Sequence, residues 1–256
     1  MKHWLYIFLL IFTFPIFIFS QTKLKLNSER VIPGETLHYS AYWEFFNIGS
    51  ASTVIDHKIY RIGSNICYKI EVQGQTNGLA KLFYVRDKWT AYIDTVSITT
   101  HRSHRSIREG KYELDEIAYF DHLKKKATVK VFDKKTKKYE LKKVYDTPEN
   151  IRDVVAGFMV VRLIDLSRYS IGDTIPINGF YEDEGYKINV IYKGIENLNL
   201  KSSIIRCHKL KPVLPKNKVF DGQNSIDIWL SADKSQSIIR IKAKMFVGNI
   251  VVELKE

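Results

Sequence analysis

Apolar and polar residues alternate with a period of two along most of the chain, the pattern of half-buried β-strands. From Glu35 to Phe46, Leu37, Tyr39, Ala41, Trp43 and Phe45 fall on one face, while Thr36, His38, Ser40 and Glu44 fall on the other. Asn47-Ile48-Gly49 then reads as a tight turn into Ala51, Thr53 and Ile55. The alternation recurs over Ile66 to Val72, Trp89 to Ile93 and Tyr112 to Phe120, where Glu116 interrupts the apolar face. Short strands spaced about ten residues apart predict a meandering antiparallel sheet. Leu123 to Lys143 reads as an exposed basic hairpin: Ala127, Val129 and Val131 alternate with lysines, and Asp133 to Lys138 makes the loop. Lysines along such an edge discourage pairing with another sheet.

One stretch breaks the period. Thr147-Pro148-Glu149 has the composition of a helix start, with a capping hydroxyl, a proline tolerated in the first turn and an acid favoured by the dipole. Ile151 to Leu166 continues almost wholly apolar, so a helix over about 148–168 is expected to be buried on most sides. Arg162 and Asp165, three apart, are placed to pair on one face. After the turn at Ile171-Gly172-Asp173 the alternation returns at Tyr186 to Tyr192, Ser203 to Leu210, Ile226 to Leu230, Ile238 to Met245 and Ile250 to Leu254. The expectation is a mainly β protein with an antiparallel curved sheet or barrel-like architecture. It has a β half over about 30–145, the buried central helix, and a β half over about 172–255, with about eight strands before the helix and about six after. The longest irregular stretch is Lys211 to Asn224, and Gly74 to Tyr84, around Thr76-Asn77-Gly78, is a second candidate flap.

The first twenty residues follow the secretory pattern: Lys2 gives a positive start, Leu5 to Phe19 is apolar apart from Thr13 and Pro15, and Ser20-Gln21 is the expected cleavage point. The remainder is then an exported domain of the cell envelope, periplasmic or outer-envelope associated. Its two cysteines, Cys67 and Cys207, are candidates for a disulfide in a compartment that permits one, or for separate packing in their strands. A formal net charge of +12 favours anionic partners. After export, nucleic acid is excluded in favour of phospholipid headgroups, anionic glycans or an acidic envelope protein, with peripheral membrane contact among the outcomes. Lys124, Lys125 and Lys126 are the candidate anionic-partner surface.

No catalytic motif emerges. The Gly-x-Ser-x-Gly turn that lifts a nucleophilic serine is absent, and Tyr145-Asp146-Thr147-Pro148 stands before the helix where a phosphate-cradling loop would need glycines. His101 and His104, with Asp121-His122, are the best metal candidates. Residues three apart in a strand face opposite ways, however, and Arg102, Arg105 and Arg108 would repel a cation. Cys207-His208 fails as a dyad for the same reason of parity. Glu182-Asp183-Glu184 reads as a solvated hairpin tip without the ligand spacing of a calcium loop. No cofactor and no enzymatic activity are expected. The aromatic residues Trp43, Phe45, Phe46, Phe83, Tyr84, Trp89, Tyr92, Phe120 and Trp229 suffice either to line a pocket for an amphipathic ligand or to fill a core.

Several phrases, in order, resemble the bacterial exported family called domain of unknown function 3108. These are Gly34-Glu35-Thr36-Leu37-His38-Tyr39 running to Trp43; Ile48-Gly49-Ser50-Ala51; Thr76-Asn77-Gly78-Leu79 with Phe83-Tyr84-Val85-Arg86-Asp87; Arg108-Glu109-Gly110-Lys111-Tyr112; the helix with Asp153 to Arg162, then Ile171-Gly172-Asp173; and Ile228-Trp229-Leu230-Ser231 before Arg240-Ile241. The resemblance implies an envelope protein with an antiparallel, barrel-like sheet and brings no established activity. Asn77, Asp87, Arg162, Asp165 and Trp229 are the candidate functional cluster. The function expected is non-catalytic binding of a hydrophobic or anionic amphipathic ligand, or assistance to envelope assembly. Its rivals are a structural module docking an acidic protein or glycan, and a hydrolase with dispersed residues.

Overall fold

A computed structural model describes residues 24–77, 84–181, 184–213, 226–245 and 248–255. The expected leader, its Ser20-Gln21 boundary, the centre of the 74–84 flap, Glu182-Asp183 and all but the first residues of the 211–224 loop lie outside them.

Eight strands precede the helix: β1 (Thr36–Trp43), β2 (Phe46–Ile62), β3 (Asn65–Thr76), β4 (Arg86–Asp94), β5 (Thr100–Glu109), β6 (Tyr112–Asp121), β7 (Lys126–Asp133) and β8 (Lys138–Asp146). After α1 (Val154–Leu163) come β9 (Thr174–Tyr181), β10 (Glu184–Asn199), β11 (Ile204–Val213), β12 (Ile226–Ser231), β13 (Ile238–Lys244) and β14 (Asn249–Leu254). All fourteen form one antiparallel sheet in the order β8-β7-β6-β5-β4-β3-β2-β1-β14-β13-β12-β11-β10-β9. The two β halves expected from the sequence are therefore one sheet, joined where Tyr39 to Trp43 of β1 pairs with Ile250 to Leu254 of β14.

Long strands twist, and a sheet this wide curls on itself. Here the curl brings its two edges together. Phe180 of β9 packs edge-on against Phe120 of β6 and Tyr145 of β8, with ring centroids 5.3 and 6.0 Å apart. The chain between β8 and α1 fills the seam. Arg152 N donates to Asn178 O and Phe180 N donates to Arg152 O, so this segment pairs in parallel with β9. Thr147 N donates to Lys125 O, and Thr100 N donates to Ile151 O, on the other side.

That use of the backbone explains why the helix begins at Val154 and not near Pro148. Residues 147–152 are committed to the seam, with a turn at Glu149-Asn150 where Asn150 takes φ 52°, and Asp153 is the cap: its Oδ1 accepts from Ala156 N at 3.0 Å. The helix runs through the inside of the curled sheet. Val155, Ala156, Met159, Val160 and Leu163 are buried against Ile55, Ile70, Ala91, Ile93, Ile175 and Leu210. Truncating one such side chain, Leu163→Ala, is expected to cost about 2–5 kcal/mol.

Two other expectations shift. The turn after β1 falls at Glu44-Phe45, with Glu44 at φ 52°, and Asn47 to Gly49 lie inside β2. Trp43 and Phe45 accordingly project at a hairpin tip and not into the core. Arg162 does not pair with Asp165. It reaches across the fold to make a two-pronged ion pair with Glu35, Nη2 to Oε1 at 2.7 Å, while its Nε donates to Ser235 O at 3.2 Å. Asp165 faces outward, beside Lys25 at 3.9 Å and Arg168 at 3.6 Å. The helix ends at Leu163, the chain is extended at Ile164, and Asp165 lies beyond it as the residue before the 3-10 turn Leu166–Arg168, off the helix stripe that carries Arg162.

Candidate functional site

One stripe of α1 borders a cavity at the margin of the core. Val154, Gly157, Phe158 and Val161, spaced as one helical face, line a cavity of about 350 Å³ against Ile177 of β9, Ile188 and Val190 of β10 and Ile228 of β12. A volume of this size falls within the range of small-molecule sites, roughly 300–1,000 Å³. Gly157 leaves the space open: a methyl group there would meet no atom within 4 Å.

Polar groups gather at one wall. Trp89 stacks on Tyr181 at 6.3 Å and lies under the Arg105 guanidinium at 5.5 Å. Arg105 is held by Glu116, Nε at 3.0 Å and Nη2 at 2.6 Å from the same oxygen, and Lys142 reaches the other Glu116 oxygen at 3.4 Å. The Glu116 that broke the apolar alternation of its strand is thus the inward anchor of a buried ion cluster.

Beside it, Asp153 lines the cavity and accepts from Thr100 Oγ1 at 2.8 Å as well as from the helix. Burial pushes its carboxyl up to about 6, with those hydrogen bonds opposing the shift. Arg152, also on the wall, donates to the carbonyls of Ile98, Ser97 and Asn150 at 3.0, 3.0 and 2.8 Å, and burial lowers it to about 10. The site is therefore an apolar trough with an ionisable, hydrogen-bonding end.

The candidate cluster named from the sequence does not converge on this trough. Asn77 caps the end of β3, its Nδ2 donating to Ser50 Oγ at 3.3 Å. Asp87 accepts from Arg108 N at 3.0 Å and sits beside Glu109, whose carboxyl is raised by burial and then by the Asp87 charge. Trp229 faces away from Ile228 and Leu230, packing with Leu198, Cys207 and Ile239, and its Nε1 donates to Glu196 at 2.7 Å. Lys124, Lys125 and Lys126 are ion-paired to Asp121, Glu149 and Asp146. Cys67 and Cys207 are free, buried thiols on β3 and β11, six strands apart in the sheet, so the separate-packing reading describes them and the disulfide does not.

His101 and His104 face opposite ways, to Asp94 at 3.3 Å and Asp115 at 2.7 Å. His122 meets His101 edge-on and contacts Thr100 O at 2.8 Å. Among the described residues no group of three or more His, Cys, Asp or Glu is arranged to hold a metal ion. Asp153, Gly157, Arg105 and Glu116 were not among the site candidates read from the sequence. Two signals were available: Glu116 on the apolar face of its strand, and an aspartate directly before an apolar helical run, a capping position.

A family model described as protein of unknown function, DUF3108, matches residues 38–255. No curated protein matches the chain. Among solved structures, a β-barrel-like protein of domain of unknown function DUF1849 from Brucella abortus is similar at a TM-score of 0.47 and 10% identity, over 88% of this chain and 98% of that one.

Proposed function

The chain belongs to the DUF3108 family, whose description assigns no activity, and we propose that it is a non-catalytic binding protein of the cell envelope that holds an amphipathic molecule by its apolar tail. The observation that carries this reading is the trough itself, apolar on the Val154-Gly157-Phe158-Val161 stripe and charged where Arg152 and Asp153 stand, with Arg105 and Glu116 in a small pocket adjoining it. Apolar tails leave water favourably by roughly 0.8 kcal/mol per CH₂ buried. A polar head would find hydrogen-bonding partners at the Asp153 wall. The secretory pattern of the first twenty residues and the charge of +12 support action outside the cytoplasm on anionic amphiphiles.

Gly157→Leu is the direct test. The side chain enters open space and removes the helix-weakening glycine, which by itself stabilises by about 1 kcal/mol. The folded protein should keep its melting temperature while losing the lipid-like mass that co-purifies with the wild type in native mass spectrometry. A wild type that is ligand-free across preparations from its own envelope, or a variant that retains the ligand, refutes the reading.

A further inference from the structure

In a continuous antiparallel sheet every second turn falls at the same end, so the β1–β2, β3–β4, β5–β6, β7–β8, β9–β10, β11–β12 and β13–β14 connections share one end of the curled sheet. That end gathers exposed aromatic rings. Phe45 is 79%, Phe46 57% and Trp43 42% exposed at the β1–β2 tip, and Tyr84 and Tyr112 are exposed beside the β5–β6 turn, where Gly110 N donates to Tyr84 O. Of the six exposed aromatic side chains among the described residues, only Tyr119 lies elsewhere.

The tip is built to stay out. Glu44, in the left-handed region, turns back to accept from Asn249 N and Nδ2 at 2.6 and 3.0 Å, which ties β1–β2 to β14 and leaves Phe45 and Phe46 projecting, with ring centroids 4.3 Å apart. Exposed Phe pairs cost solubility without stabilising the core, and soluble proteins rarely carry such patches unless something covers them. The same end bears Lys111 on the β5–β6 turn and Lys134, Lys135, Lys137 and Lys138 on the β7–β8 turn, all exposed. The opposite end shows isolated aliphatics such as Val96, Leu123 and Ile204, one to a turn and with no exposed aromatic ring.

We infer that the β1–β2 end is a docking surface for an anionic lipid bilayer, with Phe45, Phe46 and Trp43 entering the interface and the turn lysines facing its phosphates. The residues match the demands of that boundary: aromatic rings favour the level of the headgroups, and each basic group near an anionic leaflet adds to the attraction. The cavity extends to this end as well, through Tyr181 and Tyr186 at the β9–β10 connection and Pro212 and Ile226 beside the β11–β12 connection. A bilayer-borne amphiphile would therefore meet the trough on the docked side. The docking itself stands on the tip chemistry and not on occupancy of the trough.

The buried thiols of Cys67 and Cys207 leave a cysteine introduced on the surface as the only reactive one. An environment-sensitive bimane label is placed at Phe45→Cys, or at Leu123→Cys on the opposite end, in the full chain. Each is mixed with vesicles of phosphatidylcholine alone or with 30% phosphatidylglycerol. The label at position 45 should shift to the blue and be quenched by a nitroxide lipid on the anionic vesicles, weakly on the neutral ones and less at high salt. The label at 123 should not respond. With the label at Tyr112→Cys, adding Phe45→Ser and Phe46→Ser should weaken vesicle affinity at least tenfold.

Silence at 45, or an equal or larger response at 123, overturns the inference. The first outcome covers the case in which the N-terminal apolar segment alone enters the bilayer. A shift at 45 that appears without vesicles and grows with protein concentration assigns the tip to a second copy of the chain and also overturns it. Gly157→Leu should leave the response at 45 unchanged, which separates failure of the docking from failure of the ligand reading.

Discussion

Removing Glu35 isolates the least exposed cation among the described residues. The Arg162 side chain is 3% exposed, and apart from its two prongs to Glu35 it holds the Ser235 carbonyl. Glu35→Ala leaves a guanidinium in the interior with neither its charge partner nor two of its hydrogen bonds. Breaking a buried pair on one side costs about 3–5 kcal/mol, against about 0–1 kcal/mol for an exposed pair. For a domain of this size that corresponds to a fall in melting temperature of about 6–20 °C. Urea denaturation of Glu35→Ala, Arg162→Met and the double variant measures the coupling directly. The double variant, lacking the stranded charge, should recover more than half of the loss, whereas Asp165→Ala should cost less than about 1 kcal/mol because its partners are exposed. A loss below about 1 kcal/mol for Glu35→Ala, or a double variant that loses the simple sum, would show that Arg162 is solvated and the reasoning wrong.

Two further outcomes follow from ionisation and burial. Asp153 has a folded pKa near 6, above its unfolded value of 3.8, so its contribution is fully present below about pH 4 and is lost as pH rises through 6. Between pH 5 and 8 that loss is about 1–2 kcal/mol. Asp153→Asn, which keeps the capping oxygen, should flatten this part of the stability curve, and an unchanged slope in chemical denaturation at the two pH values would contradict the assignment. The thiols of Cys67 and Cys207 are both pushed up to about 11, burial being the main cause. Ellman's reagent at pH 8 should find essentially no reactive thiol in the folded protein and two after unfolding without reductant; a single slow disulfide, seen as no thiol in denaturant, would refute the free-thiol structure.

The strand pattern carried much of this architecture. Tyr39, Ile70, Ala91, Ile93, Ala118 and Phe120 are buried where the period of two puts them, and eight strands stand before the helix and six after. What misled was local chemistry overruled by distant contacts. Thr147-Pro148-Glu149 is a fair helix start in isolation, yet its backbone partners lie on β6–β7 and β9, which no window of sequence contains. Arg162 had an acid three residues away, and Glu35, 127 residues distant, won because both groups leave water together. A helix buried by the sheet, and aromatic residues enough to line a pocket beside it, were legible. Their convergence was not, because Trp89, Arg105, Glu116, Asp153 and Tyr181 meet only once the two edges of the sheet have been drawn together.

The order of the sheet also bears on how the chain acquires its shape. Every strand pairing but one joins neighbours in sequence, so β1 to β8 and β9 to β14 can each zip up hairpin by hairpin, with only local loops to close. Among the described residues the ladder from Tyr39–Leu254 to Trp43–Ile250 is the only strand pairing between the two ribbons. Closing it means bringing together segments about two hundred residues apart, the step with the largest entropy to overcome. Weakening that clasp should slow the last phase of refolding while leaving both ribbons formed.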